Sequence, residues 1–194
     1  MKVKITPERV ATGEAVFRQH CASCHGAQGV GRVGIGPRLN SESFLSAASD
    51  HMLLTTIGKG RMGTTMAGFG QRISKKEQES VVAYIRSLTA HEPAELDERP
   101  LHGDIGRGGE LFKSICSKCH GREGAGYIES SSGTGIRRKA FISSVSDGYL
   151  RYMVKNGKSQ TKMRGFDSNA PTSVANLSDD QIEDVVTYLR KAAW

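Results

Sequence analysis

Two short stretches decide the fold of this chain: GEAVFRQHCASCHG at residues 13–26 and GGELFKSICSKCHG at residues 108–121. They align without a gap, Gly13 with Gly108, Phe17 with Phe112, Cys21 with Cys116 and His25 with His120. Between them they hold all four cysteines of the chain, as two C-x-x-C pairs each followed at once by a histidine.

Outward from these stretches the match continues. DHMLLTTIGKGR from Asp50 pairs with DGYLRYMVKNGK from Asp147, MAGF at Met66 with MRGF at Met163, and SKKEQESVVAYIRSL from Ser74 with SDDQIEDVVTYLRKA from Ser178. Landmarks repeated in one order, with insertions only between them, mark a duplication. The closing segments read as helices. Ser74 and Ser178 stand at capping positions with Glu77 and Gln181 three residues on, and Val81, Val82, Ile85 and Leu88 follow the helical period, as do Ile182, Val185, Val186 and Leu189. Shorter helices are expected around 14–20 and 110–115, and over 53–57 and 150–154, the latter two stopped by Gly60 and Gly157. No strand pattern stands out. The expected architecture is all-α, with units at 1–90 and 106–194 and a polar linker at 91–105 that carries Pro93, Pro100 and a run of acids. The Gly-, Ser- and Thr-rich remainder is more loop than a free-standing core of this size supports, unless a large flat apolar group sits inside each unit.

C-x-x-C-H is the spacing of c-type haem attachment. Residues three apart on a helical turn share a face, so both thiols reach the two vinyl groups on one porphyrin edge, and the adjoining imidazole points at the iron. Cys21, Cys24, Cys116 and Cys119 are therefore expected to hold two covalent haem c groups, with His25 and His120 as iron ligands. A redox dithiol, a Zn(Cys)4 site and disulfides are poorer readings. Each pair has its own histidine, the pairs occupy equivalent places in a repeat, and a disulfide within C-x-x-C closes a tiny, strained loop.

The sixth iron position calls for a further ligand in each half. Met66 and Met163 each lie six residues after the glycine that stops a helix, and each opens an M-x-G-F tetrapeptide. The loops in between differ, RMGTT at 61–65 against KSQTK at 158–162, so the methionine stands out as the part retained. A lone methionine is usually core filler; recurrence at one offset singles these out as axial ligands. Met62 is the rival in the first half, but its counterpart is Ser159. His20, His51, His91 and His102 lack counterparts and read as solvated.

On these residues the chain resembles a tandem class I cytochrome c, most similar in layout to dihaem carriers of the cytochrome c4 type. The resemblance covers nearly all of the chain outside the linker and the tail after Tyr188. It implies that an N-terminal helix crosses the closing helix in each half, Gly13 and Phe17 against Tyr84, and Gly108 and Phe112 against Tyr188. It implies that the carbonyl of Pro37, in Gly36-Pro37, holds the His25 imidazole; the second half has GTGIRR at 133–138 and no proline. The M-P pair usual in that family is absent, since Ala67 and Arg164 follow the methionines. The resemblance also implies haem attachment outside the cytoplasm, hence a periplasmic protein whose signal or anchor has been removed.

The formal charge is +7. Residues 1–90 carry 12 basic and 6 acidic side chains, residues 91–103 one against four, and residues 104–194 14 against 10. The basic excess is spread without an Arg/Lys-rich run, which argues against nucleic acid and for redox partners with acidic docking surfaces, a membrane-associated oxidase or reductase among them. No apolar run approaches the roughly 18–20 residues that span a bilayer. With histidine and methionine on both irons, no coordination position is open to substrate. The expectation is a soluble carrier of single electrons between redox proteins, not an enzyme. Two alternatives remain: a fixed electron-transfer subunit of a larger oxidoreductase complex, and a dihaem enzyme of thiosulfate dehydrogenase type. The last needs a cysteine ligand on its catalytic haem, and this sequence has none to spare.

Overall fold

The computed structural model describes residues 2–130, 132–167 and 175–194. It divides into two compact units, Met1–Pro93 and Ala94–Trp194. Among the described residues, regular structure is helical and β-pairing is confined to isolated bridges.

In the first unit, α1 spans Pro7–His20. It starts well before residue 14 because Thr6 and Pro7 form a local start signal. The Thr6 hydroxyl accepts from the Arg9 N–H, and proline at the first helical position gives up no hydrogen bond. Helix α2 (Ala22–His25) carries the first motif, and α3 (Glu42–Ala47) is capped by Ser41. Helix α4 (Asp50–Lys59) is capped by Ser49 and stopped by Gly60, whose φ of 71° suits glycine. Helix α5 (Lys75–Ser87) has both bonds of the Ser74–Glu77 capping box. Where α1 crosses α5, the backbones meet at Gly13: a Cβ there would stand 1.9 Å from the Ser80 carbonyl oxygen. Phe17, Val81 and Val82 are buried in this crossing, and the Phe17 and Tyr84 ring centroids are 5.3 Å apart. Arg86 ties α5 to the ends of α3 and α4, donating to Asp50 Oδ1 at 2.8 Å and to the carbonyls of Leu45 and Ala48.

The second unit repeats this plan. Helix α6 (Ile105–Leu111) is capped by Asp104 and runs through a wider turn, Phe112–Cys116, into α7 (Ser117–His120), which carries the second motif. A short α8 (Lys139–Ile142) precedes α9 (Asp147–Asn156), capped by Ser146 and stopped by Gly157 at φ 72°. Helix α10 (Asp179–Lys191) closes the unit with a Ser178–Gln181 capping box. A Cβ at Gly108 would stand 2.0 Å from the Asp184 carbonyl oxygen, and the Phe112 and Tyr188 centroids are 5.4 Å apart. Arg190 does the work of Arg86, bonding Asp147 Oδ1 at 2.6 Å and the carbonyls of Ile142 and Val145.

The stretch before the first helix is tied down further in the second unit than in the first, where the Val3 N–H donates to Asp50 Oδ2 of α4 at 2.7 Å. The non-helical stretch Asp97–Asp104 is bonded along its length to α9 and α10. The Arg151 guanidinium donates to the Asp97 carbonyl at 2.7 Å, and the N–H of Gly148 to Glu98 Oε2 at 3.0 Å. The N–H groups of His102, Gly103 and Asp104 donate to Glu183, Thr187 and Asp184 at 3.0, 3.1 and 2.6 Å. Glu183 and Asp184 are buried and paired with Arg151 and Arg107. Hydrogen bonding from Arg151 holds the Glu183 carboxyl below the usual range. Burial pushes Asp184 upward, but the Arg107 guanidinium and the Asp104 N–H outweigh it and leave the carboxyl lowered. Glu79 and Ser80 occupy the equivalent places in α5, and Glu79 pairs with Arg9 at the surface.

Candidate functional site

Each C-x-x-C-H motif is presented the same way. Cys21 closes α1, His25 closes α2, and Gly26 turns the chain away at φ 74°. His25 Nδ1 lies 2.9 Å from the Pro37 carbonyl oxygen and His120 Nδ1 lies 2.8 Å from that of Thr134. A carbonyl only accepts, so Nδ1 carries the proton in both rings, and the lone pair able to coordinate a metal is on Nε2. Burial lowers the His120 pKa, against the opposing effect of the Thr134 carbonyl, which favours the neutral, ligating form of the ring. Thr134 is thus the residue of the second half that matches Pro37, although no proline marks it. What both halves need is the preceding glycine. A Cβ on Gly36 would stand 2.5 Å from the Cys24 carbonyl oxygen, and one on Gly133 would stand 2.3 Å from that of Cys119.

The two methionine loops are also built alike, and more closely than RMGTT against KSQTK suggests. Thr64 and Thr161 hold the same place. Each hydroxyl donates to a carbonyl three residues back, Arg61 or Lys158, at 2.7 Å. Each then accepts from the methionine N–H, Met66 or Met163, at 3.1 Å. The Met66 carbonyl accepts from the Arg61 N–H at 2.8 Å and the Met163 carbonyl from the Lys158 N–H at 2.7 Å. These loops close against Gly60 and Gly157, where a Cβ would stand 2.5 Å from the methionine carbonyl oxygen. Met66 and Met163 are half-buried, whereas Met62 is 86% exposed. His91, expected to be solvated, is half-buried, with Nδ1 on the Thr89 carbonyl at 2.8 Å.

The donor set fits two haem groups. All four cysteines are unpaired thiols, and among the described residues no group of three or more His, Cys, Asp or Glu side chains is placed to hold a metal ion. Burial pushes the Cys21 and Cys116 thiols up to about 11, which disfavours the thiolate that a zinc site or a reactive dithiol needs. The close passage of Gly36 and Gly133 under the motifs keeps each imidazole edge-on to a carbonyl, the second bond that a metal-ligating histidine ordinarily makes.

The family described as "Cytochrome C oxidase, cbb3-type, subunit III" matches residues 8–85 and 103–189 of the chain. Among curated proteins, the cbb3-type cytochrome c oxidase subunit FixP of Azorhizobium caulinodans is 33% identical over 129 residues, covering 63% of this chain and 42% of that protein. Subunit CcoP of the same type of oxidase from Rubrivivax gelatinosus is 24% identical over 183 residues, covering 94% of this chain and 54% of that protein. The chain spans about half the length of the curated relatives it matches. Among solved structures, a chain of the Kuenenia stuttgartiensis reducing HAO-like protein complex is similar in fold, with a TM-score of 0.58 and 20% identity over 100% of this chain and 99% of that one.

Proposed function

The chain belongs to the family of cytochrome c oxidase, cbb3-type, subunit III, as a tandem dihaem cytochrome c with two covalent haem c groups, and from that premise we propose that it passes single electrons as a component of a larger oxidoreductase assembly. The family membership carries this reading over the free carrier that the sequence first suggested. Haem, when bound, supplies reversible one-electron chemistry. The chain's own residues then bind, orient and seal. In this reading Cys21 and Cys24 form the thioethers of haem 1 and Cys116 and Cys119 those of haem 2. His25 and Met66 ligate the first iron, His120 and Met163 the second. Support comes from the matched geometry of the two halves: a carbonyl on each Nδ1, from Pro37 and Thr134, and a threonine-pinned loop behind each methionine. Filling both axial positions leaves no site for substrate, so the protein transfers electrons and a partner performs the chemistry.

The assembly stands at the outer face of the cytoplasmic membrane, where c-type haem is attached. No helix among the described residues is long and apolar enough to cross a membrane. Purification of the tagged native protein from detergent-solubilised cells tests the proposal. Stoichiometric recovery of other redox subunits is the expected result, and recovery of the cytochrome alone, in the soluble fraction, would favour the free carrier.

A further inference from the structure

Outside the iron-binding set, the two units differ at the residue that precedes the first motif cysteine. It is His20 in the first unit and, in the gapless alignment, Ile115 in the second. His20, expected to be solvated, is half-buried, and its ring packs on Phe69 with centroids 6.0 Å apart and planes at 60°. Phe69 stands three residues after Met66, so the contact joins the end of α1, next to Cys21, to the loop that carries the methionine. These are the two elements between which the assignment above holds haem 1. The counterpart of Phe69 is Phe166, buried in a unit that has no histidine at this place. Two charged side chains border the pair. The Arg72 guanidinium lies over the Phe69 ring, 5.7 Å from its centroid. Glu77, at the start of α5, has its carboxyl held below the ordinary range by hydrogen bonds from Ser74 and, more weakly, by charge on His20. Guanidinium and carboxylate therefore keep their charges through neutral pH. Histidine is the side chain that ordinarily changes charge between about pH 5 and pH 8, which makes His20 the variable charge of the group.

We propose that His20 couples the electron of haem 1 to a proton, binding the proton more tightly when the iron is reduced than when it is oxidised. The step balances as one electron delivered by a redox mediator and up to one proton drawn from water onto the imidazole, with no bond broken. Reduction removes a positive charge from the iron, so a cation beside the haem becomes easier to hold. By reciprocity, a protonated His20 raises the potential of haem 1. The second unit, with Ile115 in this place, lacks the coupling. The inference rests on the haem assignment above and deepens it by giving the two haems different responses to pH.

The test is a mediated redox titration of the full-length holoprotein in steps from about pH 5 to about pH 8, with the haem 1 wave identified as the one that Met66→Ala displaces. The expected difference in proton affinity between the two redox states is about tenfold. For one electron that lowers the haem 1 midpoint by about 59 mV over the range, while the haem 2 midpoint moves much less. His20→Ile, which installs the side chain of the second unit, is expected to hold haem 1 near its alkaline value. His20→Lys, whose charge persists over the range, is expected to hold it near its acid value. A native haem 1 midpoint that ignores pH, a slope that survives in His20→Ile, or an equal slope on haem 2 overturns the proposal. So does an equal shift in His20→Ile and His20→Lys at every pH, since the ring would then serve only to pack on Phe69. Failure of the haem assignment looks different: the native protein lacks two one-electron waves, or Met66→Ala displaces neither of them.

Discussion

Replacing Gly13 by alanine sets two effects of known sign against each other. Inside a helix the change removes backbone freedom from the unfolded chain and gains about 1 kcal/mol. At this position the new Cβ would stand 1.9 Å from the Ser80 carbonyl oxygen, 2.5 Å from its carbon and 2.9 Å from the Tyr84 Cβ. Two of these neighbours are backbone, so no rotamer change relieves them. Ordinary contact needs about 3.5 Å, and α1 and α5 must separate by more than 1 Å. A gap of that size forfeits a quarter to a half of the dispersion energy across the interface, here between Phe17, Val81, Val82 and Tyr84, all buried. The crossing then costs about 4 kcal/mol against a gain of about 1, a net loss of about 3 kcal/mol. For a unit of this size the urea slope is about 1.5 kcal/mol/M, so the midpoint of the first unit should fall by about 2 M. Gly108→Ala, at 2.0 Å from the Asp184 carbonyl oxygen, should do the same to the second unit. Gly106→Ala is the control, meeting only Asp104 Oδ1 at 3.2 Å. The assay is urea unfolding of the ferric holoprotein followed by far-UV circular dichroism and haem absorbance. A Gly13→Ala protein as stable as the native one, or more so, would refute the claim that backbone approach at the crossing holds the fold.

Met66→Ala and Met163→Ala should each remove about half of the weak long-wavelength band that methionine ligation gives ferric haem; an intact band in Met66→Ala and its loss in Met62→Ala would move the ligand. Thr64→Val and Thr161→Val should each cost about 1 kcal/mol of loop stability, read as loss of that band at lower urea than global unfolding. Lys158, Lys162 and Arg164 flank the second methionine in sequence, whereas the first loop has Arg61. Cations favour the reduced iron, so a redox titration should resolve two waves with the higher potential on haem 2, assigned through the methionine variants. Glu183 titrates below its ordinary 4.5 in the folded state because Arg151 bonds it. A depressed folded value means that its contribution is present above the unfolded pKa and lost as pH falls through the folded one. The urea midpoint of the second unit should therefore drop from neutral pH to about pH 3.5 by more than that of the first, and Glu183→Gln should flatten the difference.

The features legible in the sequence are those that side-chain identity alone dictates. Two serines with Glu77 and Gln181 three residues on reported α5 and α10, whereas the crossings at Gly13, Phe17 and Tyr84 and at their counterparts came from the resemblance to class I cytochromes c. What escaped depended on backbone atoms or on distant partners. Any residue can offer the carbonyl that Thr134 gives to His120, so no residue type announces it; only Gly133, at the place of Gly36, does. The six residues of α3 are too few to show a period. The threonine two before each methionine was visible as T-x-M in both halves and was obscured by the dissimilar residues around it. The acidic run from Asp97 read as a polar linker because the groups that its stretch bonds, Gly148, Arg151 and Glu183, lie 50 or more residues further on.

That stretch makes the two copies unequal as modules. Helix α10 spends Glu183, Asp184 and Thr187 on Asp97–Asp104, side chains that α5 replaces with Glu79, Ser80 and Ala83. A fragment of the second unit begun at Ile105 would leave the buried Glu183 short of the His102 N–H and Arg151 without the Asp97 carbonyl, each a loss of about 1–3 kcal/mol. Transplanting the second haem domain into another protein, by a cloning junction or by recombination in a genome, therefore requires carrying along residues 97–104, which read as spacer but belong to the cargo.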